Sequence, residues 1–158
     1  MLQNSAKLTF FLFVFGLFSC VKDEFITDSS VKLKFSRDTV NFDTMFYSIG
    51  STTFRLKVFN PYEKKVKISS ISLLKKENSI FRVNINGLSQ TEVFDIELDA
   101  KDSLYIFVEV TVPVEKTSFL EEDALIFEVN KNRQEVPLMV FGQDAHFIKT
   151  KKIKLRME

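Results

Sequence analysis

The chain holds one cysteine, Cys20, and one histidine, His146, and these two residues bound much of the chemistry it can perform. A thiol can form a thioether or a disulfide, or bind a soft metal. With no second Cys, no bridge within the chain can form. With one His, no Cys–His pair or His cluster of the zinc-binding kind can be assembled. An odd Cys is ordinarily a free thiol or an intermolecular partner; directly behind an apolar leader, Cys20 is expected to meet a third fate, lipidation. Gly16, Gly50, Gly87 and Gly142 stand isolated, so no glycine-rich phosphate loop exists. The remaining candidates are the carboxylates Asp38, Asp43, Asp95, Asp99, Asp102 and Asp144. Paired acids can hydrolyse glycosides and acidic loops can hold calcium, but no spacing here selects either role. The expectation is therefore a non-catalytic protein without metal or cofactor, whose acids cap and solubilise turns. Ser36-Arg37-Asp38-Thr39 and Ala100-Lys101-Asp102-Ser103 fit that reading, each setting an Asp beside a hydroxyl before a strand. Arg37, Arg55 or Arg82 can pair with such acids across the sheet, at the modest value of exposed ion pairs.

The elements around Cys20 explain why a thiol is needed there. Lys7 precedes an apolar run of eleven residues, Leu8 to Phe18, whereas a bilayer-spanning helix takes about 20. A short apolar run behind a positive charge and ending in small residues is a signal peptide, expected over residues 1–19. Leu17-Phe18-Ser19-Cys20 resembles the bacterial lipobox, with Leu17 at −3, the small Ser19 at −1, and in Phe18 a bulkier −2 residue than is usual. That resemblance implies an acylated Cys20 holding the mature chain to a membrane. Each buried methylene contributes about 0.8 kcal/mol, so two or three acyl chains anchor durably where one is marginal. Lys22-Asp23-Glu24 resembles the export signal of Bacteroidetes surface lipoproteins, which implies an outer-membrane protein displayed at the cell surface. A short charged tether on a periplasm-facing lipoprotein is the alternative.

Composition agrees with a single folded unit behind that leader. A length of 158 residues with 45% hydrophobic and 27% charged side chains is globular in character. The 22 basic and 21 acidic residues nearly cancel, so no overall field steers nucleic acid toward the chain.

From Val31 onward the sequence reads as strands. Val31, Leu33 and Phe35 alternate with lysines; Phe54, Leu56 and Val58 alternate with Arg55 and Lys57; Phe81, Val83 and Ile85 alternate with Arg82 and Asn84. Leu104 to Val112 is apolar on nearly both faces and predicts a central strand, and Leu125–Val129 and Val136–Phe141 complete the series. Asn60-Pro61, Asn86-Gly87 and Asn130-Lys131-Asn132 supply turn chemistry. Glu121-Glu122-Asp123 is expected as a solvated acidic loop. The predicted fold is an all-β, immunoglobulin-like β-sandwich over residues 31–145, preceded by the signal peptide and a tether over 20–30, and followed by a basic tail over 146–158.

The stretch from Phe42 to Gly142 resembles the ASH-type domains, relatives of the major-sperm-protein branch of immunoglobulin-like sandwiches. The likeness is carried by Phe42, Gly50, Leu56-Lys57-Val58-Phe59-Asn60-Pro61, Ile80-Phe81-Arg82-Val83, Tyr105 to Pro113 and Val140-Phe141-Gly142. A closer likeness is to uncharacterised Bacteroidetes lipoproteins carrying this domain beside the lipid anchor, through Leu33 to Thr44, Lys101 to Ile106 and Phe141-Gly142-Gln143-Asp144-Ala145. In those relatives more sequence follows that last segment, so a chain ending at Glu158 is expected to be a shortened member or one piece of a split reading frame. The resemblance implies a spacer or interaction module and carries over no catalytic residue.

Two functions follow as expectations. One is a membrane-anchored structural or protein-interaction module of the cell envelope, with an envelope protein as partner. The alternative is a surface lipoprotein that binds a glycan or peptide through loops at one end of the sandwich. The 18 Phe are expected mainly in the core, with a minority forming a partner-binding patch. The basic tail Lys149 to Arg156 is expected as a solvated terminus, with contact to anionic lipid or polymer as its alternative.

Overall fold

The computed structural model describes residues 24–114 and 119–144. The signal peptide, Leu17, Ser19, Cys20, Lys22, Asp23, His146 and the basic tail lie outside those residues. Nine strands run in chain order: β1 Lys34–Phe35, β2 Val40–Phe46, β3 Phe54–Phe59, β4 Val66–Leu73, β5 Phe81–Ile85, β6 Glu92–Leu98, β7 Ser103–Val110, β8 Leu120–Val129 and β9 Asn132–Gln143. The one helical element among the described residues is a 3-10 turn, Lys76–Asn78.

The strands form two sheets, β1-β3-β7-β5 and β2-β9-β8-β4-β6. All pairings are antiparallel except that of β2 with β9. The result is the all-β, immunoglobulin-like sandwich that the alternation predicts. Alternate side chains of β3 and β7 turn inward, so Leu56 and Val58 of β3 meet Ile106 and Leu104 of β7 within one sheet. Ile68, Ile71, Leu125, Phe127 and Leu138 face them from the other. As predicted, the apolar strand β7 is central, between β3 and β5.

The core is aliphatic rather than aromatic, which corrects the expectation for the Phe set. Of the described Phe residues only Phe81 and Phe127 are buried. Phe35 packs on Phe127 at 4.8 Å between ring centroids, and Phe42 touches Phe54 and Phe81 at 6.0 and 5.9 Å. Phe46, Phe94, Phe107 and Phe119 are exposed. Phe94 and Phe107 take the outward phase of their strands, a choice that period-two spacing leaves open.

Turn chemistry falls where it is predicted. Asn130 and Lys131, at φ 49° and 67°, close the β8–β9 hairpin in two residues. Asn86 and Gly87, at φ 51° and 88°, close a second tight turn in which Ile85 and Leu88 exchange backbone hydrogen bonds. Positive φ at both central residues matches the right-handed twist of the flanking strands. By contrast, Glu121-Glu122-Asp123 is not a solvated loop. The three residues lie inside β8, with Glu121 and Asp123 buried. Asp123 Oδ1 accepts from the backbone N–H of Lys75 at 3.1 Å and of Ala124 at 2.7 Å.

Folded contacts begin before Val31. Glu24 pairs with Lys64 at 2.9 Å, and Ile26 N–H donates to the Lys65 carbonyl at 2.9 Å. Ile26 also packs on the core. Side-chain amides on the β8–β9 hairpin hold the segment that follows. Asn130 donates to the carbonyls of Ile26 and Asp28, Asn132 to that of Val31, and Gln134 exchanges two bonds with the Leu33 backbone. These amides do the work of a missing strand partner.

Within this segment the Asp28 carboxylate accepts from Ser30 N–H at 2.7 Å, and that bond holds its pKa below the ordinary 3.8. A depressed folded pKa gives stability that is present above the unfolded value and lost as pH falls through the folded one. We expect the Asp28 carboxyl to titrate below 3.8 by NMR, and Asp28→Asn to remove that part of the acid dependence. A midpoint at or above the ordinary value would contradict the Ser30 bond.

Candidate functional site

The outward faces of the two sheets differ in character, and the smaller sheet gathers the residues best able to bind something. On β7 the outward residues are Ser103, Tyr105, Phe107 and Glu109, and β7 lies between β3 and β5. Strand register therefore arranges three rows across the face. Arg55, Phe107 and Asn84 form one; Lys57 and Tyr105 form the next; Glu109 and Arg82 form a third. Directly opposed side chains in antiparallel strands stand about 4.5–5.5 Å apart, so each row is in contact.

Tyr105 and Phe107 are each 40% exposed. The Arg55 guanidinium lies 5.2 Å from the Tyr105 ring centroid and the Lys57 ammonium 5.9 Å. A cation over a ring face is attracted by its quadrupole and loses conformational freedom in advance of any ligand. Among the described residues no carboxylate forms an ion pair with Arg55 or Lys57. Arg82 is engaged instead: it reaches Glu109 at 3.6 Å and donates to Thr111 Oγ1 at 3.1 Å, while Thr53 Oγ1 donates to Glu109. Beside Phe107 the surface sinks into an open cleft of about 450 Å³ lined by Arg82, Val83, Asn84, Ser89, Phe107 and Glu109. Asn84 Nδ2 donates to Ser89 Oγ at 3.1 Å and Asn84 Oδ1 accepts from Gly87 N–H, which orients the cleft floor.

The β5 side of this sheet is an edge. Ile85 turns its backbone groups away from β7, toward Leu88, so by alternation Val83 also turns N–H and C=O outward. No residue among those described bonds to them.

The carboxylates singled out from sequence are scattered by the fold. Asp43 and Asp95 sit at positive φ, 59° and 55°, Asp43 inside the register irregularity of β2. Asp95 pairs with Lys67 at 2.8 Å and holds that ammonium's pKa above its ordinary 10.5, while Asp99 pairs with Lys65 at 3.1 Å. Asp102 caps the Ser103 N–H at 2.7 Å, and Asp38 and Asp144 are exposed. No three acids, histidines or cysteines among the described residues are grouped to hold a metal. Of the three arginines offered as partners for those acids, Arg82 takes a carboxylate, but that of Glu109, while Arg37 lies over the Phe54 ring at 5.6 Å and Arg55 over Tyr105. Arg55 reaches the Tyr105 ring across the β3–β7 pairing, one row from its direct opposite, Phe107.

Sequence reasoning did not identify the Arg55–Lys57–Tyr105–Phe107 group. Its signal was present as polar and aromatic residues on the outward phase of two strands. What joins them is the strand register that pairs Arg55 with Phe107 and Lys57 with Tyr105, positions about 50 residues apart in the chain, and no local pattern carries it.

No family model matches the chain, and no curated protein does. Among solved structures it is similar to a family 123 glycoside hydrolase from Clostridium perfringens, with TM-score 0.48 and 6% identity over 68% of this chain. The match spans 23% of that enzyme's chain, less than a quarter of its length. A C. elegans MSP family member matches with TM-score 0.42 and 11% identity, over 70% of this chain and 97% of its own. A FixG-related protein from Vibrio parahaemolyticus matches with TM-score 0.39 and 16% identity, over 61% and 81%. A major-sperm-protein family member thus stands among the structural neighbours of this sandwich.

Proposed function

We propose that this chain is an outer-membrane lipoprotein whose sandwich is a non-catalytic binding module of the cell envelope, displayed at the cell surface. Signal residues 1–19 are removed, Cys20 carries the lipid, and Lys22-Asp23-Glu24 directs export. Glu24, the first described residue, stands four positions after Cys20, and four extended residues reach at most about 14 Å. An anchor at Cys20 would therefore hold the Lys64–Lys65 end of the sandwich close to the lipid surface.

The observation that carries the binding role is the cleft beside Phe107, flanked by two cations that pair with no carboxylate among the described residues. A passive spacer has no use for half-exposed aromatic rings set in a concave, polar-rimmed surface. The outward backbone of Val83 supports a second reading, an envelope protein that adds a strand to the β5 edge.

The anchor has a direct test. Cys20→Ala expressed in a Bacteroidetes host is expected to lose all palmitate labelling and to accumulate uncleaved. Labelling equal to wild type would overturn lipid attachment at Cys20. Protease shaving of intact cells tests display, and complete protection of the chain would move it to the periplasmic face.

A further inference from the structure

Resting on that binding role, we infer that the outer face of β1-β3-β7-β5 is a site for an acidic glycan, with a sugar ring seated against Phe107 and its carboxylate on Arg55 and Lys57. Three observations combine. The cleft offers one apolar wall, Phe107, and a rim of mixed donors and acceptors from Arg82, Asn84, Ser89 and Glu109. That combination suits a ring with an apolar CH face and hydroxyls at its edge. Across the row from Phe107 stands Arg55, with Lys57 two residues along the same strand. Both are pre-positioned on the Tyr105 ring, and no carboxylate among the described residues pairs with either. A guanidinium over an aromatic ring still has N–H donors to offer a carboxylate.

Glu109 decides between ligand classes. It lies in the cleft lining and takes up the charge of Arg82, the cation beside it. The cleft therefore holds no uncompensated cation for a carboxylate or phosphate, whereas Arg55 and Lys57 one row away have none of their charge taken up by a described carboxylate. The uncharged, hydroxylated part of the ligand belongs in the cleft, and the anion belongs one row away on Arg55 and Lys57. An acidic polysaccharide supplies both parts at the spacing of neighbouring sugar groups. An acidic peptide supplies carboxylates without the dense hydroxyls, and an anionic lipid surface would press its phosphates against Glu109.

The test is calorimetric titration of the full-length chain in detergent micelles with hyaluronan and polygalacturonate. Their carboxyl-reduced forms and poly-L-glutamate serve as comparisons. Binding of an acidic glycan is expected, weakened by salt and weaker by roughly tenfold for the carboxyl-reduced form. Arg55→Gln with Lys57→Gln is expected to lose about the same factor for the acidic form and to leave the reduced form unaffected. Phe107→Thr keeps strand propensity and should weaken both forms. The circular dichroism of each variant must match wild type. Equal affinity for poly-L-glutamate, or acidic-glycan binding indifferent to the Arg55 and Lys57 changes, would overturn the inference. Binding confined to the reduced glycans and lost in Phe107→Thr would overturn the acidic class while leaving the cleft's binding role standing. No binding to any glycan by folded protein would remove both and leave the β5 edge.

Discussion

Replacing Asn60 by alanine is expected to destabilise the fold by about 3 kcal/mol or more. Asn60 is fully buried where the chain leaves β3. Its amide nitrogen donates to the carbonyls of Lys64, Leu98 and Asp99 at 2.9, 3.2 and 2.8 Å, and its oxygen accepts from Tyr62 N–H at 3.0 Å. One side chain thus closes the β3–β4 turn on itself and ties it to the end of β6. Truncation leaves several backbone groups without partners, and each buried orphan costs about 1–3 kcal/mol. Asn60→Asp separates hydrogen bonding from packing. The shape is kept, but a carboxylate cannot donate and would face three carbonyl oxygens. It should therefore be at least as damaging as Asn60→Ala. Urea unfolding followed by circular dichroism measures both, and a loss below about 1 kcal/mol in Asn60→Asp would overturn this role. The turn it closes is also the turn on which the entering segment rests, through Glu24–Lys64 and Ile26–Lys65. Loosening it should raise protease sensitivity near residues 24–30 before the sheets open.

The second large effect is expected at Phe127. Its ring is fully buried at the middle of the larger sheet and packs against Phe35 of the two-residue strand β1. Phe127→Ala removes the transfer free energy of the ring and leaves a cavity lined by branched side chains that cannot collapse freely, at a cost of about 3–5 kcal/mol. For a domain of this size that corresponds to a fall in Tm of the order of 10–20 °C. Phe127→Leu fills most of the space and should cost a fraction as much. A Tm change under about 4 °C in the alanine variant would mean that the sheets repack around the site. β1 holds to β3 by only two register pairs, so amide exchange at Phe35 should rise with the loss of its ring partner.

The two positions were unequally legible in the sequence. Asn60-Pro61 announces a turn, because Pro presets φ and Asn bonds locally. That the same amide also reaches Leu98 and Asp99, nearly forty residues on, needs the β4–β6 pairing to bring that end of the chain alongside. Phe127 was legible as a strand residue facing the core. Phe94 and Phe107, by the same pattern, read as core candidates and face solvent. Alternation divides a strand into two faces without saying which one is buried when both carry apolar residues. Glu121 and Asp123 failed in the opposite direction. Charge suggested solvent, yet they take the inward phase of β8, where backbone N–H groups of Lys75 and Ala124 offset part of Asp123's desolvation.

What the sequence determined by itself about this protein is what short spans of chain can carry. An eleven-residue, largely apolar run in the leader, with a lone thiol just behind it, sets the expectation of a lipid anchor. Period-two alternation sets an all-β fold, and Asn-Gly and Asn-Lys pairs set its tight turns. These features depend on neighbours a few residues apart, where covalent geometry and local hydrogen bonding decide. Tertiary structure alone decided which residues meet. It brought Arg55 and Lys57 onto the Tyr105 ring, opened a cleft beside Phe107, scattered the carboxylates, and laid residues 24–33 along the amides of the β8–β9 hairpin. The reason is physical: strand register is settled by burial summed over both sheets, and no local run of residues contains that sum.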